Sequence, residues 1–283
     1  MIAPIKTVIL HLVVLCVLPA LLPGCHKYTQ KEPSIIRIKG SDTVLILAQS
    51  LAEHYMIGHA GISIHVEGGG TAVGARELVN GNIDICTASR PLQPEEIQGL
   101  ARNFGRIGVA HAVAKDALSI YLNQQNPVDN LTMNQLKQIY TGRVTNWRQV
   151  GGDDASIILL NRTPNSGTYL YFKEHVLEGE DYSDSTLPLP TTALIVKNVA
   201  TNRYAIGFGG IAYAANVKHC RVNGIEPTQE NVMRDLYPIT RYLFLYTIDR
   251  PQGIVKDFIT WVISPEGQEV VRKVGYFPIW EGQ

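Results

Sequence analysis

The sequence contains little cysteine and no run of basic residues. Four cysteines occur among 283 residues, and none stands at the Cys/His spacing typical of zinc sites. Lys and Arg number 25 and Asp and Glu number 25, so the formal net charge is zero and no basic stretch marks a nucleic-acid surface. The glycine-rich stretch Gly68–Gly74 lacks the following Lys of a nucleotide-binding P-loop. We therefore expect no metal, no cofactor and no nucleic-acid partner.

The first 24 residues differ in composition from the rest of the chain. Residues 8–22 form an apolar segment that is short for a membrane span and typical of a signal peptide. The segment ends in Leu21-Leu22-Pro23-Gly24-Cys25, which resembles the cleavage box of bacterial lipoproteins. We expect residues 1–24 to be removed, Cys25 to be lipidated and to anchor the protein to a membrane, and residues 25–34 to be a tether. An ordinary secretory signal is the alternative.

Two cysteines remain beyond that box, Cys86 and Cys220. In an oxidising compartment they could form a disulfide. Cys86, however, ends the apolar run Ile83–Cys86, and buried free cysteines behave as small hydrophobic side chains. The sequence therefore favours two buried free thiols and leaves the disulfide open.

One pattern occurs four times: a predicted strand ends in a loop rich in Ser, Thr or Gly, and a helix follows. The loops are Gly40-Ser41-Asp42-Thr43, Gly68–Gly74, Thr87–Arg90 and Asn161–Thr168. Alternating strands and helices predict an α/β fold with mainly parallel pairing. In such sheets, ligands bind beyond the carboxyl ends of the strands. Each loop taken alone is also compatible with a simple strand-to-helix turn.

The loop Asn161–Thr168 carries the strongest signal of the four. It follows an apolar strand, Ile157–Leu160, and precedes a predicted helix over residues 169–177, with Ser166 at the expected N-cap. Free backbone N–H groups, the positive end of a helix dipole and the Arg162 guanidinium are the parts of an anion site. A capped helix with a surface arginine is the simpler interpretation. Four donor-rich loops without a pair of buried acids favour an oxyanion ligand.

The order of the predicted elements indicates two lobes. Strand-like stretches at residues 107–122 and 240–246 flank residues 123–239, and a helical tail follows from about Val255 to Val274. We expect two strands that cross between the lobes as a hinge, with one lobe formed by residues 35–118 plus 243–283 and the other by residues 119–242. A single domain is the alternative.

Several of these segments together resemble the phosphate-binding proteins of bacterial phosphate-specific ABC transporters. The most specific pieces are Thr145-Asn146-Trp147 with Val150-Gly151-Gly152, and Arg162-x-x-x-Ser166-Gly167-Thr168, in this order. The resemblance covers nearly all of the chain after residue 24. It implies a type II-like, two-lobed periplasmic-binding fold that holds inorganic phosphate between its lobes and delivers it to an ABC permease. It further implies a monomer of the periplasm or cell surface, and not an enzyme.

The resemblance also implies which residues bind the ligand. They are Ser41, Asp42, Thr43, Thr71, Ser89 and Arg90 in one lobe, and Arg162, Ser166, Gly167 and Thr168 in the other. Some family members have, at the position of Ser89, an Asp that accepts the phosphate proton. Asp42, on a neighbouring loop, is the nearest acid that could replace it. The alternative for Asp42 is the common role of capping the following helix.

Three alternative functions remain open at this point. The ligand could be another tetrahedral oxyanion, such as sulfate or molybdate. A phosphate-ester hydrolase would need a nucleophile with an adjacent base or a metal cluster, and no His falls in the four loops. A surface adhesin or sensor could retain the fold without transport.

Overall fold

The computed structural model describes residues 33–213 and 216–280. The expected signal peptide, Cys25 and most of the tether lie outside the described residues. Among the helices that the structure does describe, none is long and apolar enough to cross a membrane. The first elements in chain order are β1 (Ser34–Gly40), α1 (Asp42–Gly58), β2 (Ile62–Glu67), α2 (Thr71–Val79), β3 (Ile85–Ala88), α3 (Pro94–Phe104) and β4 (Val109–Leu122).

The chain then forms a second group of elements before it returns. These are β5 (Asn130–Leu131), α4 (Met133–Tyr140), a 3-10 turn (Trp147–Val150), β6 (Ile158–Arg162), α5 (Gly167–His175), β7 (Leu187–Leu189), α6 (Thr192–Thr201), β8 (Ala205–Gly210), a 3-10 turn (Ile211–Tyr213), β9 (Lys218–Val222) and α7 (Gln229–Met233). The remaining elements are β10 (Thr240–Thr247), α8 (Gly253–Val262) and α9 (Pro265–Val274).

The strands follow the order β2-β1-β3-β10-β4-β8-β6-β7, with β9 paired to β4 and β5 paired to β9. The long strand β4 belongs to both halves of this path. Its residues 109–117 pair with β10, and its residues 118–122 pair with β8 and β9. This is the two-lobed fold with crossing strands that the sequence predicts. We call the half built on β1, β2 and β3 the first lobe and the half built on β6 and β8 the second lobe.

The expectation of mainly parallel pairing holds away from the hinge and fails at the hinge. The pairs β1–β2, β1–β3, β6–β7, β6–β8 and β5–β9 are parallel. The pairs that involve β4 or β10 are antiparallel. The reason is topological, because β4 carries the chain out of the first lobe and β10 brings it back in the opposite direction.

Each lobe has its own apolar core. In the first lobe, Ile36 and Ile38 of β1 are buried on either side of Arg37, and α1 covers them with Leu47, Leu51 and Tyr55. This spacing of four residues puts all three α1 side chains on one helix face. In the second lobe, β4, β6 and β8 pack against α4 and α5 around an aromatic cluster of Tyr140, Phe172 and Phe208.

Two local expectations require correction. The predicted helical tail is two helices, because Ser264 caps α9 and Pro265 occupies its first turn, which interrupts the chain of helical hydrogen bonds after α8. The apolar run Ile83–Cys86 predicts a strand from Ile83, but β3 begins at Ile85. The side chain of Asp84 accepts a hydrogen bond from the backbone N–H of Arg37 at 2.7 Å.

The two described cysteines are both free and buried, as the sequence favours. Burial raises the pKa of the Cys86 thiol above its ordinary range and that of the Cys220 thiol to about 12. Since the thiolate is the reactive species, both side chains act as core residues.

Candidate functional site

The loops after β1, β2, β3 and β6 meet where the two lobes face each other. Their hydroxyl groups form a buried cluster. The Oγ atoms of Ser41 and Ser89 lie 3.0 Å apart, and the Oγ1 of Thr71 lies 3.5 Å from the Oγ of Ser89. The Oγ1 atoms of Thr43 and Thr168 lie 2.8 Å apart, so hydroxyls of the two lobes touch directly. Sequence reasoning predicted these five residues as neighbours, and the fold brings them together.

The N-terminus of α5 is the second-lobe side of this cluster. Ser166 is the N-cap, and its hydroxyl accepts hydrogen bonds from the backbone N–H groups of Thr168 and Tyr169. Gly167 opens the helix without a side chain. A Cβ atom there would lie 2.4 Å from the Oγ1 of Thr71 and 2.7 Å from the Oγ of Ser89. Glycine is therefore required for α5 to approach the first lobe this closely.

Arg162, the last residue of β6, supplies a buried guanidinium. It is 1% exposed. Its Nη1 donates to the Oγ1 of Thr192 at 2.9 Å, and its Nη2 donates to the carbonyl of Pro190 and to the Oδ2 of Asp42, each at 2.8 Å. Burial lowers the pKa of Arg162, and the neighbouring Asp42 carboxylate opposes that shift. Among the described residues, the Arg162 Nε has no hydrogen-bond partner.

Asp42 joins the two lobes instead of capping α1. It is the first residue of α1, and the N-cap position belongs to Ser41, whose side chain makes no capping bond. The Asp42 Oδ2 accepts from Arg162, and its Oδ1 accepts from the backbone N–H of Gly69 at 3.2 Å. The carboxylate thus lies in the cleft, where the proton-acceptor interpretation requires it, and the capping alternative has no support in the geometry.

Further contacts hold the lobes together around this cluster. The Asn165 side-chain amide donates to the carbonyl of Gly69 at 2.7 Å, and the backbone N–H of Ala72 donates to the carbonyl of Asn165 at 3.1 Å. Gly69 has a φ of 119°, a conformation that favours glycine. The structure therefore presents the cleft in a closed arrangement.

The side chain of Arg90 does not reach the hydroxyl cluster, and this corrects the expectation from the sequence. Its Nη1 and Nη2 donate to the two carboxylate oxygens of Glu96 at 2.8 and 2.7 Å, and Nη1 also donates to the carbonyl of Pro91. Glu96 lies in the first turn of α3, six residues along the chain. A guanidinium and a carboxylate so placed form two parallel hydrogen bonds, which hold the Arg90 side chain at the N-terminus of α3.

Two residues that sequence reasoning missed lie at the cluster, Arg241 on β10 and Asp116 on β4. The Arg241 Nε donates to the Asp116 Oδ2 at 2.9 Å. Its Nη1 donates to the Oγ1 of Thr168 at 3.1 Å and to the carbonyl of Ser89 at 3.2 Å. Burial raises the pKa of Asp116, and Arg241 opposes this shift. The sequence feature that could have identified them is a charged residue inside each predicted hinge strand, where most residues are apolar.

These features define a class of protein. Buried hydroxyls, a helix N-terminus and guanidinium groups can hold an anion through many donors, but they provide no activated nucleophile. Within residues 33–213 and 216–280, no cluster of three or more His, Cys, Asp or Glu side chains could hold a metal ion. A two-lobed α/β fold with such donors between its lobes is that of a periplasmic-type binding protein for an oxyanion.

Known proteins agree with this class. A family model described as a PBP superfamily domain matches residues 28–266. The phosphate-binding protein PstS of Pseudomonas aeruginosa is 31% identical over 263 residues, which cover 85% of this chain and 81% of that protein. The chain therefore belongs to the PBP superfamily and, within it, to the PstS family of phosphate-binding proteins.

Solved structures extend the agreement to the fold. A substrate-binding protein from Clostridium perfringens, assigned to phosphate ABC transport and solved with bound phosphate, has a TM-score of 0.81 and 30% identity, with 87% of this chain and 100% of that chain covered. An ABC-type phosphate transport receptor from Vibrio cholerae has a TM-score of 0.71 and 31% identity, with 86% and 99% covered. Relatives of this kind are binding proteins of transporters, as expected for a chain that is not an enzyme.

Proposed function

We propose that this protein captures inorganic phosphate between its two lobes outside the cytoplasm and delivers it to the permease of an ABC transporter. The observation that carries the proposal is Arg162, a fully buried guanidinium beside the N-terminus of α5 whose Nε has no partner among the described residues. An unpaired buried donor of this kind is costly unless a ligand satisfies it. The relatives of this protein include a binding protein whose structure was solved with bound phosphate.

The ligand contacts come from both lobes. We assign the hydroxyls of Ser41, Thr43, Thr71 and Ser89 to the first half-site, together with Asp42. The second half-site consists of Arg162, Ser166, Thr168 and the backbone of Gly167. We assign Arg90 to neither half-site, because Glu96 occupies its side chain. The lobes extend over residues 35–118 plus 243–283 and residues 119–242.

Binding and closure are one process in this arrangement. An anion that contacts both half-sites stabilises the closed form over the open form, because only the closed form offers both sets of donors. Closure also removes water, which strengthens each charge-assisted hydrogen bond. The permease would then recognise the closed form, and the protein would act as a monomer.

Attachment to the membrane is part of the proposal. Lipidated Cys25 would anchor the protein, and residues 26–34 would give it reach on the extracytoplasmic side. A lipidated cysteine that carries more than one acyl chain provides stable anchoring, which a single chain does not. The signal sequence and the lipoprotein-like box at residues 21–25 support this part.

Sulfate or molybdate is the alternative ligand, and the position of Asp42 favours phosphate. Hydrogen phosphate carries a proton that it can donate to a carboxylate, and sulfate near neutral pH has none. Titration calorimetry with phosphate, sulfate and molybdate tests the proposal. We expect tight binding of phosphate alone. Absence of phosphate binding, or equal affinity for the three anions, would refute it, and turnover of a generic phosphate ester would favour a hydrolase.

A further inference from the structure

We propose that Arg241 is a second anion-binding arginine of the cleft, supplied by the hinge and held in place by Asp116. This inference rests on the proposed binding of phosphate and adds a residue to that site. It is distinct from the second-lobe contact through Arg162, because Arg241 lies on β10, which pairs with the hinge strand β4. The two residues of the pair are direct neighbours in the antiparallel register, Arg241 opposite Asp116.

The contacts of Arg241 join the hinge to both half-sites. Nη1 bridges the carbonyl of Ser89, in the first-lobe loop after β3, and the Oγ1 of Thr168, in the first turn of α5. Thr168 in turn shares a hydrogen bond with Thr43. The guanidinium is thus placed among the hydroxyls that we assign to the ligand, without belonging to either set of loops.

Arg241 also has donor capacity that the protein does not use. Its Nη2 lies 2.9 Å from the Asp116 Oδ2 as an ion pair, but it makes no aligned hydrogen bond with any described residue. The side chain is nine-tenths or more buried, so water does not easily replace the missing acceptor. Buried guanidinium N–H groups without acceptors are rare. An oxyanion between the lobes would supply the acceptor.

Asp116, unlike Arg241, has no unused side-chain atom, because both of its carboxylate oxygens accept hydrogen bonds. Oδ2 accepts from Arg241, and Oδ1 accepts from the backbone N–H of Ile211 at 3.0 Å. The Tyr171 ring packs against the guanidinium from another side, with 5.5 Å from its centroid to the Arg241 Cζ. Asp116 and Tyr171 therefore fix the guanidinium plane, which holds Nη1 between Ser89 and Thr168 and leaves Nη2 without an aligned acceptor.

The charge balance of the closed cleft supports this role. Asp42 with Arg162 and Asp116 with Arg241 are two buried pairs whose formal charges sum to zero. An anion that enters such a site adds net negative charge, and the unused donors on both pairs, the Arg162 Nε and the Arg241 Nη2, would stabilise it. The competing interpretation is that Arg241 only neutralises Asp116 in the hinge.

Titration calorimetry of the purified protein with inorganic phosphate decides between the two interpretations. Arg241→Gln should weaken phosphate binding at least about thirtyfold, the scale expected for the loss of a desolvated charge-assisted contact. The matched control is Arg90→Gln, which removes another buried guanidinium paired to an acid, outside the cluster. Its phosphate affinity should stay within about threefold of wild type.

A second variant covers the case in which Arg241→Gln alone fails to fold, since it leaves Asp116 buried and uncompensated. Asp116→Asn combined with Arg241→Gln removes both charges and allows a side-chain hydrogen bond between the two amides. Its thermal unfolding without phosphate should be close to that of wild type, and its phosphate affinity should still fall at least about thirtyfold.

The outcomes separate this inference from the proposed function. If wild type binds phosphate and the folded Arg241 variants bind it within about threefold, the pair is structural and the inference is wrong, while the proposed function stands. Equal losses in Arg241→Gln and Arg90→Gln would also overturn it, because they would indicate a general effect on folding. If wild type does not bind phosphate, the proposed function itself fails, and the inference with it.

Discussion

Replacement of Asp42 by Asn tests how the cleft distinguishes phosphate from sulfate. The change removes one negative charge and nearly preserves the shape of the side chain. In the structure the Asp42 Oδ2 lies 2.8 Å from the Arg162 Nη2, and the Oδ1 lies 3.2 Å from the backbone nitrogen of Gly69. Asn keeps one oxygen that can accept from either donor, so we expect the variant to fold and to close.

The magnitude follows from the burial of the pair. The two side chains are 10% and 1% exposed, so solvent screens this region poorly. Two unit charges about 4 Å apart interact by about 4 kcal/mol at an effective dielectric of about 20. Sulfate would meet this repulsion from Asp42 in full, whereas hydrogen phosphate can relieve it by donating its proton to the carboxylate.

Asp42→Asn should therefore strengthen sulfate binding at least about tenfold, which is about 1.4 kcal/mol and well below the full electrostatic term. Phosphate binding should change less, so the ratio of the two affinities should fall. Without an anion, the variant leaves Arg162 buried beside a neutral partner and should lose about 1–3 kcal/mol of unfolding free energy. A saturating anion should restore part of that loss through linkage.

Calorimetry with phosphate and with sulfate at one pH and ionic strength measures the ratio, and denaturant unfolding measures stability. Asp129→Asn, which removes an exposed acid paired with Arg221, is the control and should change neither. Sulfate affinity that stays at the wild-type value in a folded Asp42→Asn protein would refute the reasoning. So would equal phosphate and sulfate affinities in wild type.

Four further variants test other residues of the binding site, the membrane anchor and the core. Arg162→Ala removes a desolvated charge-assisted contact and should weaken phosphate binding at least about thirtyfold in calorimetry. Gly167→Ala would place a Cβ 2.4 Å from the Oγ1 of Thr71, so it should prevent closure and reduce phosphate affinity at least about tenfold without loss of helix α5 in circular dichroism. Cys25→Ser should release the protein from bacterial membranes or leave the precursor uncleaved, as measured by cell fractionation. Burial lowers the pKa of His219 below the unfolded value of 6.5. The folded state then binds fewer protons than the unfolded state, so the stability contributed by the neutral, buried His219 is complete above pH 6.5. That contribution is lost as the pH falls through the folded pKa. His219→Gln should reduce the fall in unfolding midpoint between pH 8 and pH 5.

Each of these predictions has a control or a contradicting result. Arg143→Ala changes an exposed arginine of the second lobe and should leave phosphate affinity unaltered. Gly58→Ala adds a Cβ into open space and should not affect binding. His54→Gln changes an exposed histidine and should keep the wild-type dependence on pH. Membrane attachment that persists in Cys25→Ser would point to an uncleaved apolar segment.

The sequence by itself determined the local elements and the kind of ligand. Ser166 marked the start of α5, and four donor-rich loops indicated an oxyanion. The long apolar stretches at residues 107–122 and 240–246 indicated the hinge strands, which the structure confirms. These features could be predicted from the sequence because helix capping, hydrophobic periodicity and turn formation depend on residues within a few positions of one another.

Only the tertiary structure decided which charged side chains share the cleft. Asp42 and Arg162 are 120 residues apart and pair because the closed lobes place the ends of β1 and β6 face to face. Arg90 was predicted to face the ligand, yet it pairs with Glu96, because α3 begins close enough to capture it. Arg241 enters the site because β10 returns antiparallel to β4 and lies opposite Asp116. A buried charge takes the partner that the packed strands bring within reach, and strand order and register are properties of the whole chain.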